Sequence, residues 1–285
     1  MFNYKNSQVI TGNFNGSVFI NFIVPIRNRK RFVDINYQSF KKSALLFYKK
    51  HNLKIVYTLV EHDETSQFVE YAKNKKINYV FIKSGEEFNK CLACNAGVIL
   101  TNVAKYYIFH DVDCIFSEDF FENIYKNLLN KKTKALQCFQ KRRVLYCDFD
   151  ITNNLIEGKV DIRNIIKGQH KKNIREGHEG APGGSILVER QLFLDVGGYD
   201  DHLFSGYAPE DKYFWEKLLA VYERIDSADN PIVDLYHLHH KSLARNVKEF
   251  NEAYESFLRL SKEQKLKKIQ KLSEDFKNII KHYRT

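Results

Sequence analysis

The chain has 285 residues, 44% hydrophobic and 28% charged, enough for one large α/β domain with a full core and too apolar for a disordered chain. Lys and Arg outnumber Asp and Glu by 45 to 35, and the net charge of +10 points to anionic partners: nucleic acid, a membrane surface or phosphorylated small molecules. The charge is uneven: from Leu258 onward nine basic residues stand against three acids, which leaves the remainder only mildly basic and weakens a nucleic-acid reading.

In chain order, residues 1–16 are polar and carry no apolar signal core. Asn21 to Ile26 reads as a strand, followed by the basic patch Arg27-Asn-Arg29-Lys-Arg31. Phe32, Ile35, Phe40, Ala44, Leu45 and Phe47 recur at helical spacing. Leu53 to Val60 predicts a second strand, Thr65 to Lys76 a polar helix, and Tyr79 to Ile82 a third strand. A helix over Glu87 to Val103 and a strand over Tyr106 to Phe109 lead to Asp111-Val-Asp113. Phe120 to Leu129 is an amphipathic helix and Ala135 to Phe139 a strand. Strand–helix alternation over about 140 residues predicts a mostly parallel, doubly wound sheet, with ligands beyond the carboxyl ends of the strands. Arg27-Asn-Arg29 and Asp111-Val-Asp113 both fall at such ends. No G-x-G-x-x-G and no P-loop motif is present.

Asp148 to Gly180 is polar and weakly periodic and reads as an excursion or mobile loop. Order resumes at Gly183-Gly184-Ser-Ile-Leu-Val188. Glu210 to Tyr222 predicts a helix, and Ile232 to His239 a strand within which His237 and His239 stand just before His240. Beyond Arg245 the chain reads as helical, with an apolar stripe of Leu266, Ile269, Leu272, Phe276, Ile279 and Tyr283 flanked by lysines. No run of ~18 apolar residues occurs, and the five cysteines, odd in number and scattered, suit buried thiols in a reducing cytoplasm.

The chemistry-bearing residues each admit two readings. Asp111 and Asp113, at i and i+2 on a strand end, point to one side and suit Mn²⁺ or Mg²⁺; alternatively they form a solvated acidic turn. His237 and His240 share a site if the strand ends between them, with His239 turned elsewhere; alternatively the histidines are a surface run. Glu210 and Asp211 supply a general base beside a glycine-containing loop, or simply complement a helix N-terminus. Trp215 reads as helix core.

Six blocks together resemble the β-1,4-galactosyltransferases. These are Phe22-Ile-Val-Pro-Ile-Arg-Asn-Arg29, Phe88-Asn-Lys90 with Asn95-Ala-Gly97, Phe109-His-Asp-Val-Asp113, Gly183-Gly184 through Tyr199, Gly206-Tyr-Ala-Pro-Glu-Asp211 and His237-Leu-His-His240. The resemblance spans Phe22 to Asn246, and its late part is also similar to polypeptide N-acetylgalactosaminyltransferases and chondroitin-type polymerases. It implies a GT-A (nucleotide-diphospho-sugar transferase) fold: a catalytic domain over 1–245, with a nucleotide-binding half at 20–140 and an acceptor half at 181–245, then a basic amphipathic tail at 246–285. It further implies that Arg27 and Arg29 grip the nucleotide of a UDP-sugar and that Phe88, Lys90, Gly184 and Tyr207 line its site. Asp111 would contact ribose or metal-bound water, and Asp113, His240 and His237 would hold Mn²⁺, with Mg²⁺ the alternative. Glu210 would place the acceptor and Asp211 would be the base.

Departures from the pattern are His237 for methionine, Tyr207 for tryptophan, Ala208-Pro209 for two glycines and Lys212 for a third acid. They suit a soluble, bacterial-style enzyme. The expected activity is metal-dependent, inverting transfer of Gal, GalNAc or Glc to a glycan or lipid-linked glycan, in surface polysaccharide or capsule synthesis. The expected place is the cytoplasm, with peripheral contact at the inner membrane face, or a homo-oligomer, through the tail. Retention is the mechanistic alternative. The rival functions are a non-catalytic anion- or nucleic-acid-binding module and a metal-dependent nucleotidyltransferase.

Overall fold

The computed structural model of the chain describes residues 4, 7–12, 16–140, 144–177, 183–206, 208–241 and 248–284. The first half runs β1 (Gln8–Ile10), β2 (Val18–Ile26), α1 (Lys30–His51), β3 (Ile55–Asp63), α2 (Val69–Lys75), β4 (Asn78–Lys83), α3 (Lys90–Ile99), β5 (Ala104–His110), β6 (Cys114–Phe116), α4 (Phe120–Lys131) and β7 (Ala135–Gln137). The second half runs β8 (Val144–Cys147), α5 (Phe149–Ile156), α6 (Ile162–Ile166), a 3₁₀ turn (Lys171–Asn173), β9 (Ile174–Glu176), β10 (Ser185–Glu189) and α7 (Arg190–Asp195). It ends with α8 (Glu210–Tyr222), β11 (Asp226–Ser227), β12 (Leu235–His237), α9 (Lys248–Leu258) and α10 (Lys262–Arg284).

Among the described residues the large sheet has the order β1-β4-β3-β2-β5-β10-β7-β11. Its centre, β4-β3-β2-β5, is parallel, because α1, α2 and α3 connect β2 to β3, β3 to β4 and β4 to β5 and return the chain to the same end each time. The sheet is mostly parallel, as expected, with β11 also parallel to β7 and β1 antiparallel to β4 at the opposite edge. β10 inserts between β5 and β7 and runs antiparallel to both. A second sheet, β6-β12-β8-β9, was not anticipated.

Both faces of the large sheet are covered, which is why β2 carries no polar alternation. Phe22 and Val24 of β2 pack with Phe32 and Phe40 of α1 and Phe121 of α4 on one face. Ile23 packs with α3, α7 and α10 residues on the other, including Ala93, Phe193, Ile269 and Phe276. The tail stripe therefore buries against the α3 and α7 layer of the large sheet, with Ser273 Oγ donating to the carbonyl of Leu194 at 2.8 Å. Trp215 is half-buried against the same layer. All five cysteines are buried and free. Among the described residues no helix is long and apolar enough to cross a membrane.

The excursion is a correction to the sequence reading. Residues 148–177 are not a loop but two short helices, a 3₁₀ turn and a strand. Asp148 caps α5 by accepting from the Ile151 amide and also accepts from Asn173 Nδ2, tying the two ends of the segment together. Residues 178–180 of the expected loop lie outside the described residues.

α3 sits unusually close to the sheet. A Cβ built on Gly97 would stand 2.6 Å from Ile23 Cγ2 and 3.2 Å from Val60 Cγ2, both on β-branched side chains with little freedom to move. In an exposed helix Gly→Ala gains roughly 1 kcal/mol. Here overpacking reverses the sign, and Gly97→Ala is expected to destabilise the protein by about 1–3 kcal/mol in urea unfolding. A stabilised variant would show that α3 does not depend on this contact.

Candidate active site

The carboxyl ends of β2, β3 and β5 open on one side of the large sheet, and the residues there build two connected clusters. The first is centred on Asp113. The turn after β5 is fixed from three sides. His110 is buried, its Nε2 donating to the Cys114 carbonyl at 3.0 Å and its Nδ1 accepting from Ser185 Oγ at 2.9 Å. Burial lowers its pKa to about 4, so it is a neutral, structural ring. Asn36 of α1 donates to the Cys114 carbonyl at 2.8 Å. The Asp111 amide donates to the Gly184 carbonyl at 2.9 Å, and Gly184 adopts a φ of +90°, which favours glycine.

This turn presents Asp113 to His237 and His240. β12 ends at His237, pairing with Cys114 of β6, and the Leu238 amide donates to the Asp113 carbonyl at 2.7 Å. His240 Nε2 lies 3.2 Å from Asp113 Oδ2 and His237 Nε2 3.7 Å from Oδ1. His239 turns away, its amide donating to Thr152 Oγ1 and its carbonyl accepting from Arg31. Burial alone would raise the Asp113 pKa, but the His240 hydrogen bond, His237 and Arg29 outweigh it and hold the carboxyl well below the usual range.

These residues fit a divalent cation. One ligand atom from each of Asp113, His237 and His240 lies within 4.8 Å of the others. Neighbouring octahedral ligands at about 2.1 Å from a metal stand about 3 Å apart, close to the spacings here. His240 donates Nδ1–H to the Lys241 carbonyl, which directs Nε2 at Asp113, where a metal would replace the Nε2 proton. One oxygen and two nitrogen donors favour Mn²⁺ over Mg²⁺. Arg29, expected on the nucleotide, instead pairs with Asp113 Oδ2, so a guanidinium supplies positive charge at this carboxylate.

The second cluster is centred on Lys90 at the start of α3. Its ammonium lies 2.8 Å from Asp111 Oδ1, 2.8 Å from Asp211 Oδ2 and 3.6 Å from Glu210 Oε1. Lys90, expected to line the nucleotide site, and Asp111, expected to contact ribose or metal-bound water, thus pair with each other here. Burial opposes the ammonium, but Asp111, Asp211 and Glu210 keep its pKa well above the ordinary value. Burial and the Asp211 charge push Glu210 up to about 8. Burial also raises Asp211, against the lowering effect of Lys90. Gly183 matters here: a Cβ on it would stand 2.5 Å from Asp211 Oδ2. Pro209 precedes α8, and Tyr207 lies outside the described residues.

At the ends of β2 and β3, Arg27 and Phe88 stand with two residues the sequence reading passed over, His62 and Asp63. β3 extends to Asp63, three residues beyond the expected end at Val60. Arg27 Nε lies 3.9 Å from Asp63 Oδ1, and its Nη1 donates to the Glu86 carbonyl. Phe88 stands 6.2 Å, ring to ring, from His62. Asp63 Oδ2 and His62 Nε2 are buried without a hydrogen-bond partner among the described residues, unusual for polar atoms that a ligand does not engage. The signal was available: Glu61-His-Asp63 directly follows an apolar strand whose neighbour ends in Arg27, with Ile26 in register with Glu61.

The family model described as glycosyltransferase like family 2 matches residues 22–278. Against curated proteins no match was found. Among solved structures, the catalytic domain of Drosophila β1,4-galactosyltransferase 7 with xylobiose is 15% identical, with a TM-score of 0.52 over 84% of this chain and 79% of that one. A mutant of the same enzyme holds manganese, UDP-Gal and xylobiose. S. aureus TarS residues 1–349 with UDP-GlcNAc is 14% identical, with a TM-score of 0.59 over 92% and 72%. A mannosyltransferase from Pyrobaculum calidifontis with GDP-Man and Mn²⁺ is 11% identical, with a TM-score of 0.50 over 94% and 74%. The shared architecture is the GT-A fold.

The raised Glu210 carboxyl makes stability depend on pH. Between its ordinary value of 4.5 and about 8 the folded protein keeps this proton while the unfolded chain has lost it. Stability therefore falls as pH rises through that window. Glu210→Gln should remove the slope: its melting temperature should exceed that of wild type by at least about 3 °C at pH 8.5, and the gap should close below pH 5. A wild-type decline that the variant shares in full would place the titrating group elsewhere.

Proposed function

The chain belongs to the glycosyltransferase like family 2, and from that premise we propose that it transfers a hexose (Gal, GalNAc or Glc) from a UDP-sugar to a sugar hydroxyl of a glycan acceptor, with inversion. The observation that carries this reading is the convergence of two carboxylate clusters at one sheet edge. Asp113, His237 and His240 offer a cation site, and Lys90 joins Asp111 next door to the Glu210–Asp211 pair. Related folds that hold UDP-Gal with manganese, or UDP-GlcNAc, support a UDP-sugar donor and Mn²⁺.

In the proposed mechanism Arg27, Asp63, His62 and Phe88 receive the nucleotide. Asp113, His237 and His240 hold Mn²⁺, which when bound neutralises charge on the departing diphosphate. Donor binding releases Arg29 from Asp113, and Arg29 joins Arg27 on the phosphates. Asp211, whose charged form Lys90 favours against burial, takes the proton from the acceptor hydroxyl as that oxygen bonds to the anomeric carbon. The bond from that carbon to UDP breaks on the opposite face. Glu210, which retains its proton at neutral pH, donates a hydrogen bond that orients the acceptor. This division of labour separates two adjacent carboxyls by environment alone.

The test is a UDP-release screen across UDP-sugars, with GDP-Man as a control donor and with and without Mn²⁺. Release should require Mn²⁺ and a UDP-sugar. Asp211→Asn should lower kcat by about 10²–10⁴ while leaving UDP affinity within about twofold. Normal transfer by that variant would refute the base assignment, and no turnover of any donor would refute the activity.

We further place the protein in the cytoplasm, at the inner face of a membrane, in surface polysaccharide synthesis. The support is the outward side of α10, where Lys267 and Lys271 are exposed while Ile269 and Phe276 are buried. Truncating the tail is a poor test because it would strip those core residues. Lys267→Glu with Lys271→Glu should instead abolish co-sedimentation with phosphatidylglycerol vesicles at low salt. Unchanged sedimentation would remove the tail from any membrane role.

A further inference from the structure

The excursion between β8 and β10 has a lopsided charge that the proposed transfer does not use. From Asp148 to Asp161 it carries four acids and one lysine, and from Ile162 to Arg175 five basic residues and no acid. The bounding acids are committed to the frame. Asp148 caps α5 and holds Asn173, and Asp161 caps α6 and pairs with Arg163 at 2.9 Å. Lys167, Lys171 and Lys172 are exposed and make no ion pair among the described residues. Arg175 is exposed on β9, at the edge of the small sheet.

This basic rim adjoins the cation site through aromatic contacts. The Arg175 guanidinium sits 5.1 Å from the centre of the Tyr146 ring, and that ring stands 5.0 Å from the His237 imidazole. His237 in turn faces Asp113. The rim is thus two ring contacts from the place where the sugar would leave its nucleotide. Pairing of β8 with β9 and the Asp148–Asn173 bonds hold it in shape, so the charges are presented on a frame rather than on a flexible arm.

We propose that Lys167, Lys171, Lys172 and Arg175 form an acceptor-docking surface for a glycan chain bearing repeated anionic groups, phosphodiester or carboxylate. The inference rests on the transferase reading and deepens it by naming the acceptor's chemical class. A neutral glycan gains nothing from four exposed cations within residues 167–175, whereas a polyanion neutralises them. Anionic lipid headgroups share the charge but not the location, since this surface is tied to the cation site.

The test is fluorescence anisotropy of the full chain with three labelled probes: a glycerol-phosphate oligomer, a hyaluronan oligosaccharide and a neutral dextran oligosaccharide. At least one anionic probe should bind, and its affinity should fall about threefold or more between about 50 and 200 mM salt. Lys171→Gln, Lys172→Gln and Arg175→Gln combined should weaken that binding at least about tenfold, while Lys267→Glu with Lys271→Glu should not. The preferred probe separates phosphodiester from carboxylate as the source. Equal binding of dextran, no binding of either anionic probe, or anionic binding that survives the triple change overturns the proposal. So does binding by this rim to phosphatidylglycerol vesicles alone. UDP release by wild type without acceptor tests the transferase reading separately, so the two failures are distinguishable.

Discussion

The site depends on one buried ammonium. Lys90 stands among Asp111, Glu210 and Asp211, which come from the turn after β5 and from the first turn of α8. Three carboxylates confined together repel one another, and without a cation at least two would have to be protonated. Lys90 removes part of that cost and in doing so fixes where the two halves of the chain meet. Its position is inherited from α3. Asn89 caps that helix by accepting from the Leu92 amide, while its Nδ2 donates to the Asp201 carbonyl. Asn95 exchanges hydrogen bonds with the backbone of Tyr199 in both directions. Gly97 lets the helix lie close on β2. The motif residues around Lys90 therefore act first as a mount.

The two cationic centres divide the labour by environment. At Asp113 the surrounding positive charge comes from Arg29 and two imidazoles, and the carboxylate stays ionised. At Glu210 burial and a neighbouring acid dominate, and the carboxyl keeps its proton at neutral pH. The two clusters thus hold an ionised carboxylate, a protonated carboxyl and a lysine-bound carboxyl side by side. None of these states follows from residue type.

What was legible in the sequence is what periodicity and breakers encode. The alternation from β2 to β5 was readable because each buried strand is an apolar run and each helix has a repeating stripe. The helix from Glu210 to Tyr222 was read with the bounds it has, since a proline precedes it and its acids suit a helix start. Of the small sheet only β12 was read, inside the strand expected over Ile232 to His239; β6, β8 and β9 have three or four residues each, too short for a pattern. The antiparallel course of β10 is a tertiary choice invisible in its composition. Ending β3 at Val60 hid Asp63, because a charged residue after an apolar run looks like the start of a loop. Lys90 and Arg29 were recognised as site residues, but their partners lie 21 to 121 positions away and only the folded chain selects them.

The C-terminal helix extends this argument from the site to the whole domain. A Cβ on Gly197 would stand 2.5 Å from the Leu272 backbone, and one on Gly198 2.9 Å from the Phe276 ring. α10 thus presses directly on the segment that leads to Tyr199, the residue that grips Asn95. Lys217 of α8 closes the same junction from within. It is fully buried, its amine donates to the Gly198 carbonyl at 2.6 Å, and burial lowers its pKa to about 8. Arg284 finishes the contact by donating to the carbonyls of Val98 and Ile99, where α3 ends. α3 is therefore held at its start by Asn89, in its middle by Asn95 and at its end by the tail. The amphipathic stripe that looked from sequence like an appendage is a brace for the helix that carries Lys90, which is why the charge on its outer face can vary independently of the site while its inner face cannot.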